Sequence, residues 1–322
     1  MKKVLALILA VMMVLSLAAC GTATKTEEGK DTFTIGICQL VQHEALDAAT
    51  KGFMDALKAE FGDKVTFLNE NASGDVQTCT TIVNNFVNKK VDLILANATP
   101  ALQAAANGTT TIPVLGTSIT EYGTALGIKD FSGIVGGNVS GTSDLAPLDE
   151  QAAMITELFP EAKKVSILFC TSEANSDYQV KVIQKNLEEK GLTVEKCGFT
   201  DSNDVTTAAT KAANADVIYI PTDNTAASCA ATINGMIGDT PVIAGEEGIC
   251  KNCGVATLSI SYSDLGKTTG KMAAKILKGE AKIEEMKIEY APAVKKFNKE
   301  KCEQLKIGVA ALEEKGYVAI AK

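Results

Sequence analysis

Asp92-Leu-Ile-Leu-Ala-Asn-Ala-Thr99-Pro100 and, 124 positions later, Asp216-Val-Ile-Tyr-Ile-Pro-Thr-Asp223-Asn224 share one plan: an acidic residue, an apolar run of strand composition, and a polar tip that opens a helix. The match extends to either side. Ile35-Gly-Ile-Cys-Gln39 is echoed by Ile167-Leu-Phe-Cys-Thr171, and Ile112-Pro-Val-Leu-Gly-Thr-Ser118 by Thr240-Pro-Val-Ile-Ala-Gly-Glu246. The echoes come in one order at nearly one offset, so the chain reads as two similar halves.

Within each half, apolar strands alternate with helices. The composition predicts strands over Phe33 to Leu40, Val65 to Asn69, Val91 to Ala96 and Ile112 to Gly116, then Val165 to Thr171, Thr193 to Gly198, Asp216 to Ile220 and Pro241 to Ala244. Between them, Ala45 to Phe61 places Leu46, Ala49, Phe53 and Leu57 on one helical stripe. Strands alternating with amphipathic helices imply parallel sheets covered on both faces, an α/β fold of two doubly wound lobes. Such sheets bind ligands beyond the carboxyl ends of their strands, so two facing lobes make a cleft lined by strand tips. Those tips are Gln39 to Glu44, Thr99 and Pro100, Thr117 and Ser118 in the first half. In the second they are Ser172 to Asn175, Thr222 to Asn224, Glu246 and Glu247.

The tips suggest a zwitterion. Pro100 suits a first helical turn, so backbone N–H groups beside the Thr99 hydroxyl form a carboxylate site, joined by hydroxyls of Thr117 and Ser118. Asp223, Glu173 and Glu246 are acceptors for an ammonium group. Simpler roles stand beside these. Thr99 and Asp223 are also typical N-caps, Asn175 and Ser176 suit the start of the next helix, Glu246-Glu247 suits a solvated turn, and Asp144 suits a cap or a hinge crossing. His43 is the one histidine of the chain. With no GxSxG elbow and no evident His-Asp or His-Cys pairing, it reads as a binding residue. Gly133 to Gly141 has neither the P-loop lysine nor the dinucleotide spacing and reads as a strand between lobes.

Met1 to Ala19 reads as an export signal: Lys2 and Lys3 precede an apolar run from Val4 to Leu17, and Leu17-Ala18-Ala19-Cys20 forms a lipoprotein cleavage site. The run falls short of the roughly 20 residues that span a bilayer. Two acyl chains on Cys20 give stable anchoring where one does not. Gly21 to Lys30 has the composition of a solvated linker. The expected place is therefore the outer face of the cell membrane, held there by lipid.

Hydrophobic content of 46% in 322 residues supports two sizeable cores. Formal charge is −8, more negative once Lys2 and Lys3 leave with the signal, and no basic block interrupts it. This argues against nucleic acid and against adhesion to anionic lipid. Nine cysteines are scattered rather than arranged as a disulfide framework. Cys38 and Cys170 read as buried hydrophobes, and Cys250 and Cys253 as a local disulfide or two free thiols rather than half of a zinc site. No metal and no cofactor is expected.

Taken together, Gly36-Ile-Cys-Gln-Leu-Val-Gln-His-Glu-Ala-Leu-Asp47 with Lys51-Gly-Phe53, Asn71-Ala-Ser-Gly-Asp75, Ala98-Thr-Pro100, Ser172-Glu-Ala-Asn-Ser176, Pro221-Thr-Asp-Asn224, Ala244-Gly-Glu-Glu247, Asp264-Leu-Gly266 and Gly270-Lys-Met-Ala-Ala-Lys-Ile-Leu-Lys-Gly279 resemble the ABC transporter substrate-binding proteins of the tryptophan/tyrosine uptake type. The resemblance covers about residues 33 to 307. It implies a type I periplasmic-binding fold, with lobes joined by a three-segment hinge and a ligand delivered to the permease and ATPase subunits of an importer. It also implies that the helix Ser263 to Lys278 packs back on the first lobe. On this reading residues 1–19 are the signal, 20–30 Cys20 and linker, 31–142 with 262–285 the first lobe, and 143–261 with 286–322 the second. One departure is Gln42-His43-Glu44, where the family often has Glu-His-Pro. Another is the lack of tryptophan, which leaves Phe131, Phe169, Tyr178 or Tyr262 to stack on an aromatic ligand.

The expected function is capture of an amino acid, aromatic by resemblance, by a monomer that performs no chemistry on it. Its contacts are expected from Gln39, Gln42, His43, Thr99, Thr117, Ser118 and Asp144 on one side and Ser172, Glu173, Asn175, Asp223, Asn224 and Glu246 on the other. Rival readings are a branched-chain amino acid or nucleoside as cargo, a sensor on the same lobes, or an exported enzyme using His43 with Glu173 or Asp223.

Overall fold

A computed structural model describes residues 32–321, so the signal, Cys20 and the linker lie outside the described residues. The first lobe runs β1 (Phe33–Gln39), α1 (Glu44–Phe61), β2 (Val65–Asn71), α2 (Val76–Lys89), β3 (Leu93–Asn97), α3 (Thr99–Gly108), β4 (Val114–Ile119), α4 (Tyr122–Leu126) and β5 (Val139–Ser143). The second runs α5 (Leu148–Leu158), β6 (Lys164–Cys170), α6 (Ala174–Glu189), β7 (Thr193–Phe199), α7 (Val205–Ala212), β8 (Val217–Ile220), α8 (Asn224–Ser228), α9 (Ala230–Met236), β9 (Val242–Ala244), α10 (Glu247–Cys253) and β10 (Ala256–Ser259). The chain ends with α11 (Tyr262–Leu277), β11 (Glu289–Tyr290), β12 (Val294–Phe297), α12 (Lys299–Gln304), α13 (Val309–Glu314) and β13 (Val318–Ala319).

The internal repeat is a structural one. The first sheet is ordered β11-β5-β4-β3-β1-β2 and the second β13-β12-β10-β9-β8-β6-β7, so β2-β1-β3-β4-β5 in one corresponds to β7-β6-β8-β9-β10 in the other. All these pairs are parallel; β12 runs antiparallel to β10, and β13 pairs parallel with β12, so both run against the rest of the sheet. Central strands β3 and β8 are buried along their whole length, as apolar runs covered by helices on both faces must be. Edge strands β2 and β7 alternate or fray outward.

Strand ends differ slightly from expectation, and β4 differs most. It runs on past Gly116 to Ile119, with a register shift against β5 between those residues. An irregularity of this kind re-aims a side chain, and here the side chain is that of Ser118. Gly133 to Gly141 is not one strand: Gly133, Gly136 and Gly137 take positive φ in turns, and only the segment from Val139 pairs as β5.

The helix after the second crossing lies on the first lobe. Phe53 and Leu57 of α1 share a core with Met272 and Ala273 of α11. The two backbones nearly touch: a Cβ on Gly52 would meet Ser263 O at 2.2 Å and one on Gly266 would meet Ala49 O at 2.0 Å. The third crossing falls later than residue 285, because Ile288 is buried in the first-lobe core and Glu289–Tyr290 pairs with β5.

Candidate functional site

The carboxyl ends of both sheets face one another across the cleft. A cavity of about 320 Å³ opens between them, walled by Leu40, Val41, Asp75 and Pro100 from the first lobe and by Ser172, Glu173, Thr200 and Thr225 from the second.

On the first lobe, Gln39 shapes the β1 tip from behind. Its Nε2 donates to Val41 O (2.9 Å) and Asp47 Oδ1 (2.7 Å), while its Oε1 accepts from Thr50 Oγ1 (2.6 Å). This folds the loop so that His43 sits at the start of α1 and reaches across the cleft, with Nε2 3.4 Å from Asn224 Oδ1. Burial lowers the His43 pKa, outweighing the pull of Asn224 and the neighbouring carboxylates of Glu173, Asp47 and Glu44, so the ring is neutral at pH 7. At the β3 tip Ala98 has φ 89°, and Thr99, buried, opens α3 with Pro100 in its first turn. At the β4 tip Ser118 has φ 56° and is buried, and its Oγ has no hydrogen-bond partner. A non-glycine residue held in the left-handed region with an orphaned hydroxyl is costly twice over, a combination concentrated at ligand sites.

The second lobe differs from expectation in one respect that matters. The carboxylates expected to receive an ammonium group accept hydrogen bonds from donors of their own lobe. Glu173 Oε2 accepts from Asn224 N (3.0 Å), Asn224 Nδ2 (2.7 Å) and Asn175 Nδ2 (3.0 Å), and its Oε1 from Thr225 N (2.8 Å) and Thr225 Oγ1 (2.7 Å). Asp223 Oδ1 accepts from Ala226 N (2.8 Å), and its Oδ2 from Cys170 N (2.6 Å) and Ser176 Oγ (2.7 Å). Together the two acids satisfy the free N–H groups of the first turn of α8. Burial, then the charge of Glu173, pushes Asp223 up to about 7. Glu246 caps α10 through the N–H groups of Gly248 and Ile249, and burial raises it to about 7.

What the second lobe leaves open is an amide. Asn175, in the first turn of α6, donates through Nδ2 to Glu173, Ser176 Oγ and Thr222 O, while its buried Oδ1 has no partner. Asn224 turns its Oδ1 to His43. Tyr178, three residues after Asn175, is half-buried, and its hydroxyl is raised by burial and by Glu121, the N-cap of α4 on the opposite lobe. Tyr178 also packs against the second-lobe core. Of the other aromatics named from the sequence, Phe131 stacks on Tyr122 (6.3 Å), Phe169 lies in the second-lobe core, and the Tyr262 hydroxyl donates to Asp144 Oδ2 (2.9 Å).

Of the remaining expected contacts, Thr117, Gln42 and Asp144 lie outside the lining of the interlobe cavity, while Ser172 is part of its wall. Thr117 is fully buried under α11, its hydroxyl bonded to those of Thr142 (3.4 Å) and Thr269 (3.2 Å), because alternate residues of a strand face opposite ways. Gln42 is exposed and lines a hollow with Lys51, Asp55 and Asn69 of its own lobe. Asp144 lies in the first crossing, held by Thr120 Oγ1 (3.1 Å) and Tyr262, and burial raises it to about 6. Ser172 stands on the rim, donating to Thr200 O (2.9 Å). Cys38, Cys170, Cys250 and Cys253 are buried free thiols. Sequence reasoning missed Lys251, which pairs with Glu44 across the lobes at 3.0 Å; a lysine after a cysteine in a short helix carries no signal of that partner.

With this geometry in hand, comparison with known proteins is specific. Residues 34–314 match the family described as ABC transporter substrate binding protein. A tyrosine-binding protein of Clostridioides difficile is 35% identical over 295 residues, spanning 87% of this chain and 85% of that protein. The structure of an ABC domain in complex with L-Trp from Streptococcus pneumonia superposes with a TM-score of 0.84 at 32% identity, over 90% of this chain and all of that one. A ligand-free, open substrate-binding protein with adhesive properties from Clostridium difficile gives 0.68 at 34% identity, with 90% and 100% covered. At nearly equal identity the chain superposes better on the protein solved with L-Trp than on the ligand-free, open one. Two matched α/β lobes, an open-ended cleft at their strand tips and these relatives together show that the chain belongs to the ABC transporter substrate-binding protein family, with the type I periplasmic-binding fold.

Proposed function

We propose that this chain captures an aromatic amino acid between its lobes and hands it to the permease of an ABC importer, while anchored to the outer face of the membrane through lipid on Cys20. The observation that supports the ligand class is that two of the buried polar atoms left without a partner, Ser118 Oγ at the end of β4 on one lobe and Asn175 Oδ1 at the start of α6 on the other, lie at carboxyl ends of strands; Asn97 Oδ1 and Ser259 Oγ at the ends of β3 and β10 are left so too. The Ser118 hydroxyl, with Thr99 and the N-terminus of α3, suits a carboxylate, and the Asn175 carbonyl oxygen suits an ammonium group. An amino acid satisfies both lobes at once, and only when they are shut, so its binding energy favours closure. The names of the two relatives, one binding tyrosine and one solved with L-Trp, point to the aromatic class. Half-buried Tyr178, one turn after Asn175, is the aromatic side chain this reading assigns to such a ring.

A Kd of 1 μM corresponds to about −8 kcal/mol, within reach of a few charge-assisted bonds and one buried ring. No step of this reading changes the ligand covalently, and a monomer suffices. Calorimetry of the mature protein with L-tyrosine, L-tryptophan, L-phenylalanine, L-leucine and adenosine tests it. Micromolar or tighter binding confined to the aromatic set is expected; tighter binding of leucine or adenosine overturns the cargo. The anchor is tested separately by Cys20→Ser, which should move the protein from the membrane fraction to the medium.

A further inference from the structure

Outside the crossing segments, the side-chain hydrogen bonds that join the lobes among the described residues come from two consecutive positions. His43 reaches Asn224, and Glu44 Oε1 pairs with Lys251 Nζ at 3.0 Å. We infer that Glu44 and Lys251, which lie outside the ligand contacts, act with the His43–Asn224 bond as a latch that sets how readily the cleft shuts. The inference rests on the closing-cleft reading above.

Three features support it. Glu44 is the first residue of α1 and Lys251 lies in the last turn of α10, so each sits at the end of its own helix dipole that suits its charge. Both side chains are therefore well placed with the cleft open, and the pair adds only to the shut state. Glu247, the nearest competitor on α10, is taken by Lys296 at 2.5 Å, which leaves Lys251 for the opposite lobe. Glu44 and Lys251 also help to line an interlobe hollow of about 200 Å³ with Ala45, Ala48, Gly248 and Tyr262, so the bridge lies on a flank that the lobes share. Contacts that exist in one of two states shift the balance toward it without touching the ligand. The superposition on the tryptophan-bound relative, closer than on the open one, agrees that these contacts belong to the shut arrangement.

The pair is 57% and 40% exposed, so its effect is modest and salt-dependent. The test is a charge-swap cycle in the full mature chain: wild type, Glu44→Lys, Lys251→Glu and the double reversal, each titrated with L-tyrosine at low and high salt. Each single reversal should weaken binding by about 3- to 10-fold at low salt, more through faster release than slower capture. The double reversal should restore it to within about twofold, and high salt should shrink the differences. Ligand-free melting temperatures should not follow this pattern, since the two residues share no lobe. Losses that simply add in the double variant overturn the latch. If no aromatic amino acid binds wild type, the cargo reading fails on that result alone. The latch is then decided by prolonged treatment of the wild-type protein with a carbodiimide, which joins carboxylate to amine on contact and so traps each transient closure of the lobes. A Glu44–Lys251 cross-linked peptide supports the latch, and its absence rejects it.

Discussion

Glu173→Ala separates two roles for a carboxylate at a strand tip, that of a helix cap and that of a ligand's ammonium partner. As a cap, Glu173 accepts the N–H groups of Asn224 and Thr225, along with the Thr225 hydroxyl and the amides of Asn175 and Asn224. The amides and the hydroxyl can turn toward the cleft and find water, but the two backbone donors are fixed by the turn of α8. A hydrogen bond to a charged group contributes about 1.5–3 kcal/mol, so losing two costs roughly 3–6 kcal/mol. Relief of the charge beside Asp223, whose pKa Glu173 helps to raise, returns part of this. A net loss of about 3–4 kcal/mol should lower the melting temperature by about 10 °C, with Glu173→Gln losing roughly half as much. Differential scanning calorimetry of the ligand-free variants measures it. An unchanged melting temperature combined with a hundredfold weaker affinity would refute the cap and restore Glu173 as the ammonium partner.

Ser118→Ala removes an orphaned hydroxyl, so the ligand-free protein should keep or slightly gain stability while L-tyrosine affinity drops roughly tenfold by calorimetry; an unchanged Kd would mean the hydroxyl meets no ligand. Asp144→Asn should flatten the pH dependence of stability. Burial raises Asp144 from 3.8 to about 6, so the folded state holds its proton to higher pH than the unfolded chain. Its contribution is full below pH 4 and is lost as pH rises through about 6, a decline of roughly 3 kcal/mol at about 1.4 kcal/mol per pKa unit. Urea melts at pH 4.5 and 8 that differ as much for the variant as for wild type would contradict this. Gly266→Ala, which on an open helix would gain about 1 kcal/mol, should instead cost about 3 kcal/mol, since the new Cβ meets Ala49 O at 2.0 Å and neither helix backbone can yield; a stabilised variant would show that α1 and α11 can separate.

The lobes were legible because buried parallel strands announce themselves. Leu93–Asn97 and Val217–Ile220 are apolar throughout, with a polar tip that opens a helix, and a repeat of that plan survives drift in the helices between. The tips were therefore found, but the direction of each side chain was not. Thr117 and Ser118 are neighbours with opposite fates, one hydrogen-bonded under α11 and one left with a buried, unpartnered hydroxyl beside an irregularity in β4 that leaves no mark in composition. Asp223 reads as an acceptor or as a cap, and Glu173 as an acceptor only. What decides for caps is that both reach the same first turn of α8, although they stand on different strand tips. Asp144 and Tyr262, 118 residues apart, meet only because two crossings run side by side, a fact of topology rather than of local pattern.

The central claim is that an amino acid bridges the two sets of strand tips. A crystal structure of the mature protein grown with L-tyrosine tests it directly. The account predicts the carboxylate within hydrogen-bond distance of Ser118 Oγ and Thr99, and the ammonium group against Asn175 Oδ1. Density for the ligand in the first-lobe hollow beside Gln42 and Lys51, with nothing spanning Ser118 and Asn175, would contradict it.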